Sequence, residues 1–201
     1  MIRVLIAEDQ GMIRGALKAL LAMEGDIEIV AETDRGDDVL ALALQTKPDV
    51  ALLDIEMPGG DGISAAAQLR NELPSCRPLI LTTFGRPGFL RRAMESGASG
   101  FMLKDAPAHE LALAIRRTMA GERVIDPGLA AAALSSGISP LSEREREVLV
   151  AGRNGAGISE IAKALFLSEG TVRNYLSSAI QKLEVSNRTE AARVAEDQGW
   201  L

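Results

Sequence analysis

Aromatic residues make up only 3% of this 201-residue chain: one Trp, one Tyr and four Phe. Its cores must therefore be filled by Leu, Ile, Val, Ala and Met, and an apolar share of 47% is enough to do so. A single cysteine, Cys76, excludes an internal disulfide and fits a reducing compartment. No apolar run approaches the roughly 20 residues of a spanning helix, and no signal-peptide pattern opens the chain, so a soluble cytoplasmic protein without membrane insertion is expected. Positive charge is not in excess either. There are 22 Lys+Arg against 28 Asp+Glu, a formal charge of −6, so bulk charge does not announce nucleic-acid binding. The one histidine, His109, reads as a surface residue near a helix start.

What is present changes character along the chain. Over residues 1–120, short β-rich runs at Ile2–Ala7, Ile27–Ala31, Val50–Leu53, Leu79–Thr82 and Gly100–Leu103 alternate with helical patterns. Met12, Ile13, Ala16, Leu17, Leu20 and Leu21 recur at three- and four-residue steps, as do Leu111, Ala114, Ile115 and Met119. Turn residues punctuate the runs at Pro48, Pro58-Gly59-Gly60, Gly85-Arg86-Pro87-Gly88 and Gly97. Five strands alternating with five helices predict a doubly wound, five-stranded parallel α/β domain. Residues 121–139 read as a linker with a short helix over the Ala-rich Leu129–Leu134 patch, followed by Ser135-Ser136-Gly137. Residues 140–201 carry no strand signal and predict a small all-α helix-turn-helix domain. Ser142 and Glu145 form a capping box at its start, and Ser168 caps its third helix.

The stretch ALLDIEMPGG, residues 51–60, runs three apolar residues straight into Asp54. In a doubly wound domain, ligands sit beyond the carboxyl ends of the strands. Glu8 and Asp9 follow the first strand, Asp54 ends the third, Thr82 the fourth, and Lys104 follows the fifth. Taken singly, each has a bland reading as a turn former, strand residue or surface lysine. Taken together, they bring three carboxylates, a hydroxyl and an ammonium to one edge. Clustered carboxylates repel each other, and Mg²⁺ with its hard oxygen shell relieves that repulsion. Asp54 can then attack phosphorus to give an aspartyl phosphate.

These pieces, LIAEDQ, LLDIEMPGGDG, ILTTF and GASGFMLKD, make residues 1–120 resemble the receiver domain of bacterial two-component response regulators. The resemblance implies that Asp54 is the phosphoacceptor for a sensor histidine kinase. It implies that Asp9 and Asp54 hold Mg²⁺ with the backbone carbonyl of Glu56, and Glu8 through water. Lys104 would pair with phosphoryl oxygens, Thr82 would swing toward them and Phe101 would follow inward. Asp105 stands where many receivers have a proline after the lysine.

In the C-terminal module, the third helix has a buried stripe of Val172, Leu176, Ala179, Ile180 and Leu183, with Arg173, Asn174, Ser177 and Gln181 opposite. A polar face of this kind suits base edges in a major groove. Residues 139–201 hold eight Lys/Arg against nine Asp/Glu, a net −1, which fits a solvated packing helix equally well. The run PLSEREREVLVAG followed by SEIAKALFLSEGTVRNYLSSAIQKLEVSNRTEAA is similar to the DNA-binding domain of NarL/FixJ (LuxR-type) regulators, and LTTFGRPGF with GTVRNYLS resembles the desaturase-controlling, membrane-fluidity members. This implies Arg173, Asn174 and Ser177 in the groove, with Thr171, Lys182 and Arg188 near the backbone. Gly152, which weakens the end of the first helix of this module, and Tyr175 depart from the pattern.

The expectation is a DNA-binding transcription regulator, not an enzyme, activated at Asp54. Phosphorylation would pair two chains through the first and last receiver helices, and the dimer would read two half-sites on double-stranded DNA. The rivals are a receiver-like regulator working without phosphorylation and an aspartyl-phosphate phosphatase using Asp54 and Glu56.

Overall fold

A computed structural model describes residues 1–83, 87–135 and 139–201. The turn read at Gly85-Arg86 and the Ser136-Gly137 pair lie outside the described residues. The chain divides into two compact units, the first taking Met1–Gly85 and Leu90–Ala130 and the second mainly Ala131–Leu201.

In the first unit, strands β1 (Ile2–Ala7), β2 (Ile27–Thr33), β3 (Val50–Asp54), β4 (Arg77–Thr82), β5 (Gly100–Leu103) and β6 (Val124–Ile125) alternate with helices α1 (Gly11–Ala22), α2 (Val39–Thr46), α3 (Gly62–Glu72), α4 (Pro87–Ser96) and α5 (Ala108–Met119). All neighbouring strands pair in parallel, in the order β2-β1-β3-β4-β5-β6. The order reverses direction around β1, and that switch point opens a crevice at the carboxyl edge. Every residue of β3 is buried, as a central strand covered on both faces requires. Val4, Ile6, Leu52, Leu79, Leu81 and Ile115 lie in one shared core.

The expectation of five strands is corrected here, because β6 makes the sheet six-stranded. Val124 pairs with Gly100 and Ile125 with Phe101, inside the stretch read as linker. Gly100 permits the close approach. A Cβ at that position would stand 2.7 Å from the Val124 carbonyl oxygen and 2.4 Å from a Leu79 methyl. Among the described residues no peptide bond is cis, so Asp105 follows Lys104 through a trans bond.

Helix α6 (Pro127–Ser135) covers the Ala-rich patch. The second unit then holds α7 (Glu143–Gly152), α8 (Ile158–Ala164), α9 (Glu169–Lys182) and α10 (Arg188–Asp197). Its caps follow the sequence closely. Ser142 Oγ accepts from the Glu145 amide at 3.3 Å, while Glu145 returns a carboxylate oxygen to the Ser142 amide at 2.6 Å. Ser168 Oγ accepts from Thr171 N–H, and Asn187 Oδ1 from Glu190 N–H. Val148, Leu149, Ile161, Val172, Leu176 and Ala179 form the core of this unit. Cys76 is buried, and burial, followed by the charge of Asp49, pushes its thiol up to about 12, which disfavours the thiolate. No helix among the described residues is long and apolar enough to cross a membrane.

Candidate functional sites: an acidic strand-end cluster and a polar helix

Parallel register brings the strand ends together. Ala7 lies beside Leu53, Asp54 beside Leu81, and Thr82 beside Leu103. Glu8 and Asp9 continue from β1, with the Glu8 amide donating to the Thr33 carbonyl at 3.0 Å. Lys104 continues from β5, its amide donating to the Thr82 carbonyl at 2.9 Å. One carboxylate oxygen from each of Glu8, Asp9 and Asp54 lies within 4.8 Å of the others. Lys104 Nζ stands 2.7 Å from Glu8 Oε2 and 2.9 Å from Asp54 Oδ2. Asp9, Asp54, Glu56 and Thr82 line a small cleft of about 60 Å³ with Gln10 and Thr83.

The electrostatics follow from burial. Glu8, Asp54 and Thr82 are all buried, whereas Asp9 and Glu56 are exposed. Desolvation raises the Glu8 pKa and the Asp54 charge adds to it, outweighing the hydrogen bond from Lys104. Desolvation works against the Lys104 ammonium, but its bonds to Glu8 and Asp54 more than offset it and leave its pKa raised. Three carboxylates cluster here, and the Lys104 ammonium pairs with two of them, Glu8 and Asp54. An all-oxygen donor set with surplus negative charge fits a hard divalent cation.

Phe101 is fully buried in β5, paired with Ile80 and Ile125, and does not line the cleft. Two supports escaped the sequence reading. The Arg14 guanidinium donates to the Glu8 carbonyl, and the Gln10 amide donates to Glu8 Oε1 at 3.2 Å. Arg14 sits on α1, six residues on from Glu8, and nothing in apolar periodicity marks it. A third support is steric. A Cβ on Gly62 would lie 2.0 Å from the Asp54 carbonyl oxygen, so only glycine lets α3 start against the back of Asp54.

In the second unit, α9 buries Val172, Leu176 and Ala179 and exposes Arg173, Asn174 and Gln181, with Ser177 also exposed. The six residues expected at DNA are not equally available. Arg173 donates to Glu169 Oε2 at 2.9 Å, and Lys182 to Glu145 Oε2 at 2.8 Å. Arg188 donates to the Ala156 carbonyl at 2.9 Å, and Thr171 Oγ1 shares a 2.8 Å bond with Ser168. Asn174 and Ser177 are exposed on the helix face. Glu145, read only as a capping residue, also accepts from Ser178 Oγ at 2.6 Å, so one buried carboxylate fastens α9 to α7.

A parallel sheet with a strand-end acid cluster and a separate helix-turn-helix unit define a phosphoacceptor regulator of the two-component type. The sequence comparisons agree. The response regulator receiver domain matches residues 4–116, and the bacterial regulatory proteins of the luxR family match residues 139–195. The chain belongs to the LuxR-type response regulators, which are transcription regulators and not enzymes. Transcriptional regulatory protein DesR of Bacillus subtilis is 46% identical over 201 residues, 100% of both chains, in line with the likeness to desaturase-controlling regulators. The transcriptional regulatory protein YvfU of the same organism is 44% identical, again over all of both chains. Among solved structures, response regulator ChrA of a heme-sensing two-component system shares 36% identity at a TM-score of 0.60, covering 100% of this chain and 98% of that one. A structure of two RcsB dimers bound to two parallel DNAs shares 25% identity at a TM-score of 0.71, covering 97% and 98%.

Proposed function

We propose that this chain is a cytoplasmic transcription regulator switched by phosphoryl transfer to Asp54, with a receiver in residues 1–120, a linker in 121–139 and a DNA reader in 140–201. The observation that carries the proposal is Asp54 Oδ2 held 2.9 Å from Lys104 Nζ while its carboxylate shares a cleft with Asp9 and Thr82. The donor is a phosphohistidine of a sensor kinase. An Asp54 oxygen attacks its phosphorus, the P–N bond breaks, and the imidazole leaves with the bonding pair and takes up a proton. Lys104 is placed to neutralise a phosphoryl oxygen, and the Thr82 hydroxyl to donate to another. Asp9, Asp54 and the Glu56 carbonyl would hold Mg²⁺, with Glu8 through water. When bound, the ion supplies charge neutralisation for the incoming phosphoryl group.

The activated form is a homodimer. Met12 and Leu20 on α1 and Leu113 on α5 are exposed, and Leu20 borders an apolar cleft of about 90 Å³ shared by the two helices. A face of this kind suits a second copy of the chain. Two copies present two α9 helices to half-sites on double-stranded DNA. Arg173, Asn174 and Ser177 meet base edges, while Thr171, Lys182 and Arg188 flank the backbone.

The test is sedimentation and DNA binding with and without beryllofluoride plus magnesium, on the wild type and Asp54→Ala. The wild type is expected to shift to a dimer and to bind DNA at least tenfold more tightly, by combining two modest affinities. Asp54→Ala is expected to do neither. Unchanged sedimentation in the wild type sinks the dimer mechanism. Failure of every small phosphodonor to modify Asp54 would favour a regulator that works without phosphorylation.

A further inference from the structure

Helix α9 carries two cations, and only one of them is set among the exposed polar residues of its first turns. Lys182 is held by the buried Glu145. Arg173 instead donates from Nη2 to Glu169 Oε2 at 2.9 Å, with the two side chains 58% and 49% exposed. Glu169 precedes Arg173 by four residues, the favoured order for a helix ion pair.

We propose that Glu169 is a positioning residue for sequence reading. It aims the Arg173 guanidinium at one guanine edge, and its charge keeps the helix from settling on arbitrary phosphates. The inference rests on the proposal that α9 reads DNA. A guanidinium is a planar fork of five donors. The bond to Glu169 uses one Nη2 hydrogen and restrains where the guanidinium sits, leaving donors on the fork for O6 and N7 of a guanine. A side chain restrained before binding loses less rotamer freedom on binding. Water is excluded as DNA approaches, and the carboxylate–guanidinium attraction strengthens as the local dielectric falls. Phosphates are repelled by the same carboxylate, so non-specific contact, which is mostly electrostatic, is penalised. The module's net charge of −1 over residues 139–201 fits a reader that depends on a few aimed contacts.

The experiment selects bound duplexes from a random-sequence pool with the full chain, activated by beryllofluoride and magnesium. Affinities are then measured for the selected duplex and for a scrambled one. Arg173→Gln identifies the base pair that Arg173 reads. Glu169→Gln is expected to lose about tenfold of the preference at that same base pair while binding the scrambled duplex several-fold more tightly. Glu169→Asp keeps the charge but not the reach. It is expected to lose the preference without gaining on scrambled DNA. Full preference retained by Glu169→Gln overturns the inference, because a merely structural first-turn acid would leave base choice alone. A wild type that selects no sequence overturns the DNA-reading proposal and this inference with it.

Discussion

Lys104 Nζ lies 2.9 Å from Asp54 Oδ2 with both side chains nearly out of solvent, at 7% and 5% exposure. The same ammonium is 2.7 Å from Glu8, so one cation serves two buried carboxylates. Lys104→Met removes that cation and leaves like charges facing each other. The variant is expected to lose about 2–4 kcal/mol at neutral pH, read from urea unfolding. Magnesium chloride is expected to recover more stability in the variant than in the wild type, because a divalent ion replaces the missing charge. A variant as stable as its parent without magnesium would contradict this account.

Glu145 sets a pH limit on the second unit. Burial alone would raise its pKa, but bonds from Lys182, Ser178 and the Ser142 amide bring it down from 4.5 to about 2. Its contribution is therefore complete above the unfolded value near 4.5 and is lost as pH falls through about 2. Glu145→Gln is expected to cost about 1–3 kcal/mol at pH 7 and to flatten the acid limb between those two values. The sole tryptophan, Trp200, packs on this unit's core, so its fluorescence during urea unfolding at a series of pH values makes the measurement. An acid limb unchanged in the variant would assign that limb to other carboxylates.

Gly62→Ala forces a methyl group to within 2.0 Å of the Asp54 carbonyl oxygen unless α3 moves. Destabilisation of about 1–3 kcal/mol is expected, with slower uptake of phosphate from acetyl phosphate as Asp54 is displaced. Phosphotransfer kinetics and thermal melting on the same sample separate the two effects. A variant that melts lower yet reacts at the wild-type rate would show that the displacement spares Asp54.

How much of this was readable beforehand depends on sequence distance. Glu8, Asp9, Asp54, Thr82 and Lys104 were legible because each follows an apolar run, and a parallel sheet sends all run ends to one edge. The caps Ser142 and Ser168 were legible because their bonds span three residues. By contrast, β6 is two residues long and flanked by Arg123 and Asp126, too short for any alternation to register. The Glu145–Lys182 bond joins residues 37 apart on different helices. Packing decides that contact, and no local pattern reports it.

Exposed apolar residues on α1 and α5 give a fourth prediction. Met12 is 89% exposed and Leu113 51%. Met12→Glu combined with Leu113→Glu is expected to abolish the beryllofluoride-dependent shift in sedimentation while leaving the thermal midpoint of the resting chain within a degree or two, as for surface changes generally. Phosphate uptake from acetyl phosphate checks that the acidic cleft is intact. A dimer that persists in this variant would place the pairing face elsewhere.

The short pairing of Val124 and Ile125 with β5 has a consequence for how the first unit can be isolated. A fragment ending at residue 120 would turn β5 into an edge, baring main-chain donors and acceptors at Gly100 and Phe101 to any strand that meets them. A fragment carried on through Asp126 keeps that flank covered. The two should part company in shelf life: the shorter piece self-associates on storage at high concentration, and the longer one stays dispersed.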